Sequence, residues 1–153
     1  VAAAVANDGK VMAPHVLDEV SDPDGDVFST YEDGTWTEAT SPETAAIMRD
    51  AMRGVVADGT ADGLAIPGYD VGGKTGTAQL GPDPPSSHAW IIGFAGRPGE
   101  APSVAISVIV KGQPGVSEVT GGRVAAPIAR EVMEGILSAQ EADPGAGPGD
   151  GGD

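Results

Sequence analysis

Apolar residues recur along this chain in two rhythms. Ala45, Met48, Met52 and Val55 follow one another at three- and four-residue spacing, the period of one face of an α-helix. Ser41-Pro42-Glu43 precedes them with a hydroxyl N-cap, a proline at the first helical position and an acid in the first turn, and Gly59 marks the end. A second amphipathic helix is predicted over 124–139, started or kinked at Pro127, with Ile128, Val132 and Ile136 on one face and Ala129, Met133 and Leu137 beside them. Between the helices, the near-continuous apolar runs 89–95 and 104–110 flank Gly96-Arg97-Pro98-Gly99-Glu100 and predict a buried antiparallel hairpin.

The first forty residues carry a weaker pattern. Residues 1–6 read as the last turns of a helix, closed by Asn7-Asp8-Gly9, where Gly9 can take the left-handed conformation. Residues 11–20 predict one edge or extended strand interrupted by Pro14, followed by a turn over 21–26 and a short strand over 27–31. From Glu141 onward the chain is almost entirely Gly, Pro, Ala and Asp, too little apolar surface to offset the entropy of ordering. The expected organisation is therefore a folded portion over 1–139 and a disordered tail over 140–153.

Composition narrows the function. At 153 residues and 40% hydrophobic the chain is one domain or part of one, and 4% aromatic makes the core aliphatic. A net charge of -15 repels phosphate backbones and anionic lipid, which argues against nucleic acid as a partner. Without cysteine there is no disulfide, thiolate nucleophile or cysteine-bound zinc, and neither a metal nor a cofactor is expected. Val1 stands inside an alanine-rich element with no initiator methionine, so any membrane anchor or signal is expected upstream of this sequence.

The densest chemistry lies in Val71-Gly72-Gly73-Lys74-Thr75-Gly76-Thr77-Ala78-Gln79. With Gly68 it satisfies the phosphate-loop pattern G-x-x-x-x-G-K-[ST] letter for letter. Such a loop requires a buried strand before it and a helix beginning at its lysine, because amides at the helix N-terminus hold the phosphates. Upstream, Gly63-Leu64-Ala65-Ile66-Pro67 is too short and proline-ended for that strand. Downstream, Gly76 and Gly81-Pro82-Asp83-Pro84-Pro85 forbid the helix. The alternative makes 71–79 a β-strand at the edge of a cleft, presenting Lys74, Thr75 and Thr77, with Gly76 allowing close approach of another backbone.

That strand matches the K-T-G element of the active-site-serine penicillin-recognising enzymes. Lys74-Thr75-Gly76-Thr77-Ala78-Gln79, His88-Ala89-Trp90-Ile91-Ile92-Gly93-Phe94-Ala95 and Gly121-Gly122-Arg123-Val124-Ala125-Ala126-Pro127-Ile128 resemble, in order and spacing, the C-terminal part of class B penicillin-binding transpeptidases. Residues 1–14 and 52–61 look like that family too. The resemblance implies an α+β fold of the β-lactamase/transpeptidase type, present here as an incomplete C-terminal portion. In it a five-stranded antiparallel sheet packs between helices, and the K-T-G strand lines the active site.

In such enzymes a serine attacks the carbonyl of a D-Ala-D-Ala stem peptide, and an amine from a neighbouring strand resolves the acyl-enzyme into a crosslink. β-Lactam antibiotics imitate the peptide and stall as acyl adducts. The resemblance implies that Lys74, Thr75, Gly76 and Thr77 bind substrate: Lys74 supplies the positive field, the Thr75 and Thr77 hydroxyls hold the substrate carboxylate, and the Thr77 backbone N–H is one oxyanion donor. No serine here is followed three residues later by lysine, and Asn7, the only asparagine, lacks a serine two residues before it. The nucleophile is thus absent from the chain. This sequence is expected to be an inactive fragment of an enzyme of bacterial cell-wall synthesis, outside the cytoplasmic membrane, that meets cell-wall synthesis proteins through its missing part. A serine β-lactamase or β-lactam sensor of the same fold, and a noncatalytic peptide-binding module, are the alternatives.

Other residues attract attention without carrying chemistry. His15 and His88 suggest a general base by residue type alone, but no G-x-S-x-G elbow accompanies them, and a structural role is expected. Asp22, Asp24 and Asp26 alternate as in a calcium loop, yet Val27 stands where that motif needs glycine. Trp90 and Phe94, on one face of a strand, and Met48 and Met52 are expected in the core. Gly112-Gln113-Pro114-Gly115 signals a tight loop.

Overall fold

The computed structural model describes residues 1–82, 85–112 and 120–142. The expected tail falls outside these beyond Ala142, as do residues 113–115 of the expected loop.

The chain begins with α1 (Ala2–Ala6), which Asn7, Asp8 and Gly9 terminate. Gly9 is left-handed at φ 85°, and its amide donates to Ala4 O. What the sequence predicted as one strand over 11–20 is two. Strand β1 (Lys10–Met12) pairs antiparallel with β4 (Thr35–Glu38), and β2 (Glu19–Ser21) pairs with β3 (Val27–Thr30). The intervening Pro14 offers no amide to a ladder, and each half takes a different partner. Strand β4 was not foreseen, because all four of its residues are exposed and leave no apolar alternation to read.

Helix α2 (Pro42–Asp58) starts where the capping signal puts it, with the Thr44 amide donating to Ser41 Oγ. Its buried line is Ala45, Met52 and Val56, whereas Met48, expected in the core, is exposed. The inward position one residue on belongs instead to Arg49, whose guanidinium donates to Val5 O at 2.8 Å and pairs with Asp8 at 2.7 Å, tying α2 to α1 and its cap. Arg53, one turn further, lies 2.9 Å from Asp50 and 3.5 Å from Asp70, which opens the next strand.

A single 3₁₀ turn, Asp62–Leu64, leads into the main sheet, β5 (Asp70–Pro82), β6 (Pro85–Gly96) and β7 (Val104–Val110). The order is β5-β6-β7, all antiparallel. The predicted hairpin is β6 and β7, with Ala89 opposite Val110 and Ala95 opposite Val104. The resemblance implied five strands, and three pair here among the described residues; the four short strands pair with one another instead.

Helices cover both faces of this sheet. On one, Ala89, Ile91 and Ala95 of β6 pack with Leu64, Met133 and Leu137. On the other, Phe94 packs with Val5 of α1 and Met52 of α2. An antiparallel sheet packed between helices is the architecture expected from the sequence.

After β7 a π-helical turn, Gly121–Ala125, runs into α3 (Ala126–Ala142). Of the two apolar stripes predicted on this helix, Ala129, Met133 and Leu137 are buried, while Ile128, Val132 and Ile136 are 40–46% exposed. Small Ala126 and Ala129, both fully buried, let the helix lie close to the 3₁₀ turn and sheet, and that contact selects the inward stripe. The helix also runs three residues past Ala139, the expected limit of the folded portion.

Glu141 is used in that extra turn. The Tyr69 hydroxyl donates to its Oε1 at 2.6 Å, joining the end of α3 to the loop before β5. This hydrogen bond, helped by burial and the Glu141 charge and partly opposed by Arg97, raises the phenol above its ordinary value near 10. A group raised in the folded state adds stability that is complete below its unfolded value and fades as pH climbs through the folded one. Glu141→Ala is therefore expected to lower the Tyr69 ionisation midpoint toward about 10, read by ultraviolet absorbance titration. A midpoint unmoved by the substitution would mean the contact does not persist in solution.

Candidate functional site

Lys74 sits in the middle of a strand, five residues into β5, and not at the start of a helix. The two glycines just before Lys74 have packing partners of their own. A Cβ on Gly72 would collide with the Phe94 ring directly across the ladder, and one on Gly73 would come within 2.5 Å of Leu64 Cδ2. Gly72 and Gly73 thus make room for two of the largest fully buried side chains of the core.

Beyond these glycines the strand changes character. Val71, Gly72 and Gly73 are buried, Thr75 and Gly76 are half-buried, and Lys74 and Thr77 are exposed. Strand β5 pairs only with β6, so its other edge is free of strand partners among the described residues. The Lys74 ammonium donates to Thr75 O at 2.7 Å, which draws it along the strand toward the threonines. Thr75 Oγ1 lies 2.8 Å from Thr60 Oγ1, a hydroxyl supplied by the turn after α2. Gly76 faces Trp90 across the ladder, and a Cβ there would stand 3.2 Å from Trp90 Cβ.

The Gly121-Gly122 turn closes behind this stretch. A Cβ on Gly121 would meet Trp90 O and lie 3.0 Å from Gly76 O, and one on Gly122 would meet Thr60 O and lie 3.6 Å from the Thr75 methyl. The turn therefore rests on backbone at the strand position that follows Lys74 and Thr75, and only residues without a side chain fit.

Lys74, Thr75, Gly76 and Thr77 are consecutive on the outer strand β5, where the sequence reading put a strand. Thr60 and Trp90 join them unforeseen. Thr60 follows a helix-ending glycine, and no local pattern reveals which strand it will meet. Trp90, expected in the core, is 39% exposed. It shares a face with Phe94, but α1 and Met52 cover only the Phe94 end of that face.

The two histidines stand in structural contacts. The Gly112 amide donates to His88 Nδ1 at 3.0 Å, and the His15 ring stacks on Tyr31 with centroids 3.6 Å apart. In the acidic turn, Asp22 Oδ1 accepts the amides of Asp24 and Asp26, each at 2.9 Å. Grooves of about 360 and 410 Å³ open beside Arg49 and Arg53 and beside Tyr69, and neither is lined by residues 74–77. Lys74 stands on the strand face shared with Gly76, and Thr75 and Thr77 on the other, so this stretch sets a cation and two hydroxyls about one strand edge that is open among the described residues.

Comparison with known proteins identifies the family. The sequence profile described as the penicillin binding protein transpeptidase domain matches residues 1–134. The chain is 39% identical over 142 residues to the peptidoglycan D,D-transpeptidase PbpA of Mycobacterium tuberculosis H37Rv, covering 92% of this chain and 28% of that protein. It is 37% identical to stage V sporulation protein D of Bacillus subtilis, covering 88% of this chain and 21% of that one. Among solved structures, a ceftriaxone acyl-enzyme complex of penicillin-binding protein A from M. tuberculosis superposes with a TM-score of 0.77 at 39% identity, covering 89% of this chain and 30% of that chain. The D,D-transpeptidase domain of a peptidoglycan glycosyltransferase from Eggerthella lenta superposes with a TM-score of 0.76 at 34% identity, covering 91% and 30%. The chain thus spans under a third of the length of each of these four proteins. Its profile match, its three-stranded sheet between helices and its lysine-bearing edge strand agree, and the chain belongs to the penicillin-binding protein transpeptidase domain family.

Proposed function

We propose that this chain is the C-terminal, substrate-binding portion of a serine D,D-transpeptidase that crosslinks peptidoglycan. The observation that carries the reading is Lys74-Thr75-Gly76-Thr77 on the free edge of β5, in a chain 39% identical to a peptidoglycan D,D-transpeptidase. In the intact protein, a serine on a segment outside this chain attacks the penultimate D-alanine carbonyl of a stem peptide, expelling the terminal D-alanine. A neighbouring amine then displaces the serine oxygen and completes the crosslink.

Each residue of the patch answers a need of that reaction. The Lys74 ammonium supplies the positive field beside the substrate carboxylate, and the Thr75 and Thr77 hydroxyls donate to it. The Thr77 backbone N–H is one of the two oxyanion donors, the nucleophile's own N–H being the other. β-Lactams carry a carboxylate in the same relation to their strained carbonyl, so they are bound by the same groups.

With no serine three residues before a lysine, the chain by itself forms no acyl adduct. Among the described residues no helix is long and apolar enough to cross a membrane. The anchor that holds the protein at the outer side of the cytoplasmic membrane, and its contacts with other cell-wall synthesis proteins, belong to the portion outside this chain.

Labelling with a fluorescent penicillin tests the assignment. The full-length protein containing this segment is expected to form a stable covalent adduct. Rapid hydrolysis of the antibiotic would make it a β-lactamase, and no adduct at all would leave a noncatalytic peptide-binding module.

A further inference from the structure

The Thr75 hydroxyl has a neighbour that constrains what it can offer a ligand. Thr75 Oγ1 and Thr60 Oγ1 are 2.8 Å apart, both at the surface. Thr60 is held in place: it directly follows Gly59, the C-cap of α2, and its carbonyl oxygen lies hard against Gly122, whose Cα hydrogen in turn faces the Thr75 methyl. Three separate elements therefore meet at this pair of hydroxyls: the α2 cap, strand β5 and the turn before α3.

A threonine hydroxyl has one proton to give and two lone pairs to receive with. A carboxylate receives only. When Thr75 spends its proton on Thr60, it has none for a carboxylate. When Thr60 spends its proton on Thr75, the Thr75 proton is released to point outward along the free edge of β5.

We propose that Thr60 is a positioning residue that sets the direction of the Thr75 proton for binding a substrate carboxylate. The inference rests on the reading of Thr75 as a carboxylate ligand given above. In the bound state the bonds form a relay, Thr60 O–H to Thr75 oxygen and Thr75 O–H to carboxylate, in which each bond polarises the next. Thr60 touches no substrate and takes no part in bond making.

The test uses the intact protein and two forms of one antibiotic, benzylpenicillin and its neutral methyl ester. Thr60→Val keeps the shape of the side chain and removes the proton, while Thr60→Ser keeps the hydroxyl. The ratio of acylation rates for acid and ester is read in each variant, because a ratio is indifferent to the fraction of protein that is folded. Thr60→Val, which can no longer donate to the Thr75 oxygen, is expected to lower this ratio about two- to fourfold through loss of the polarisation that Thr60 lends the Thr75 O–H. The loss should fall mainly on the apparent dissociation constant of the acid and less on its limiting acylation rate. Thr60→Ser is expected to restore the ratio.

An unchanged ratio in Thr60→Val, or an equal loss on acid and ester, overturns the relay. Thr75→Val separates that failure from failure of the site itself. If Thr75→Val lowers the ratio while Thr60→Val does not, Thr75 stands as the carboxylate ligand and only the role of Thr60 is lost. If Thr75→Val leaves the ratio unchanged, the carboxylate site is wrongly placed and both readings fall. With both correct, adding Thr60→Val to Thr75→Val lowers the ratio no further, since the relay has already been cut.

Discussion

Lys74→Ala in the intact protein is expected to slow acylation by a carboxylate-bearing β-lactam about 10- to 100-fold, the worth of a hydrogen bond to a charged group. The same substitution should leave thermal unfolding nearly unchanged. Lys74 is exposed, and among the described residues its ammonium donates to Thr75 O, an acceptor that water can satisfy after the side chain is gone. Exposed positions outside caps and networks change stability by about 0.5 kcal/mol or less. Two measurements on one variant, a second-order acylation rate and a melting curve, therefore give opposite answers if Lys74 acts on substrate. Wild-type acylation would place the carboxylate site elsewhere. A fall in both would make Lys74 a folding residue, contrary to its exposure.

Gly121→Ala should do the reverse, damaging the fold first. Its new methyl would enter the space of Trp90 O and stand 3.0 Å from Gly76 O, both backbone atoms of the paired strands β5 and β6. A side chain could rotate aside, but a hydrogen-bonded ladder cannot move without disturbing its neighbours. Overpacking of this kind costs about 1–3 kcal/mol, and the upper end applies where backbone must shift. Because the displaced strand position is next to Thr75 and opposite Trp90, penicillin labelling should fall along with the melting temperature. Gly54→Ala is the control: its methyl meets nothing within 4 Å, and in a helix interior alanine is favoured over glycine by about 1 kcal/mol. A Gly121→Ala protein as stable as the Gly54→Ala protein would show that the turn does not rest on the sheet as described.

The lysine-bearing strand was more legible than the fold around it, and particular residues show why. Lys74, Thr75, Gly76 and Thr77 are adjacent in sequence, so once 71–79 is read as a strand their grouping follows without any knowledge of the rest of the molecule. Context also sufficed to reject the phosphate loop, because the proline-rich stretch after Gly81 rules out the helix such a loop needs. Thr60 lies 15 residues from Thr75 in the chain and meets it only because α2 and the 3₁₀ turn fold back on β5. Trp90 and Phe94 share a strand face and a hydrophobic character, yet one is exposed and the other fully buried. The difference lies in α1, whose reach along the sheet no pattern in β6 records.

The helices show the same division. Periodicity identified α2 and α3, and the capping residues placed the start of α2 correctly, since Ser41, Pro42 and Glu43 act on amides within one turn. Glu43 itself is held below the ordinary carboxyl range by its own backbone amide and by Ser41, both within two residues. Which stripe of each helix faces inward was another matter. Met48, expected in the core, is exposed while Arg49 turns inward, because Val5 O and Asp8, separated from α2 in the chain by four short strands, accept the Arg49 guanidinium. On α3, both stripes are apolar, and the close fit of Ala126 and Ala129 decides between them.

By itself, then, the sequence determined the hairpin, the two long helices, the lysine-bearing strand and the family to which they point, because each depends on spacing within a few residues. Tertiary structure alone decided the uses of its glycines, the inward faces of α2 and α3, the exposure of Trp90 and the pairing of Thr60 with Thr75. Those outcomes depend on which distant surfaces compete for the same space. Hydrophobicity marks a residue as fit for burial, but only packing between elements far apart in the chain selects which fit residues are buried.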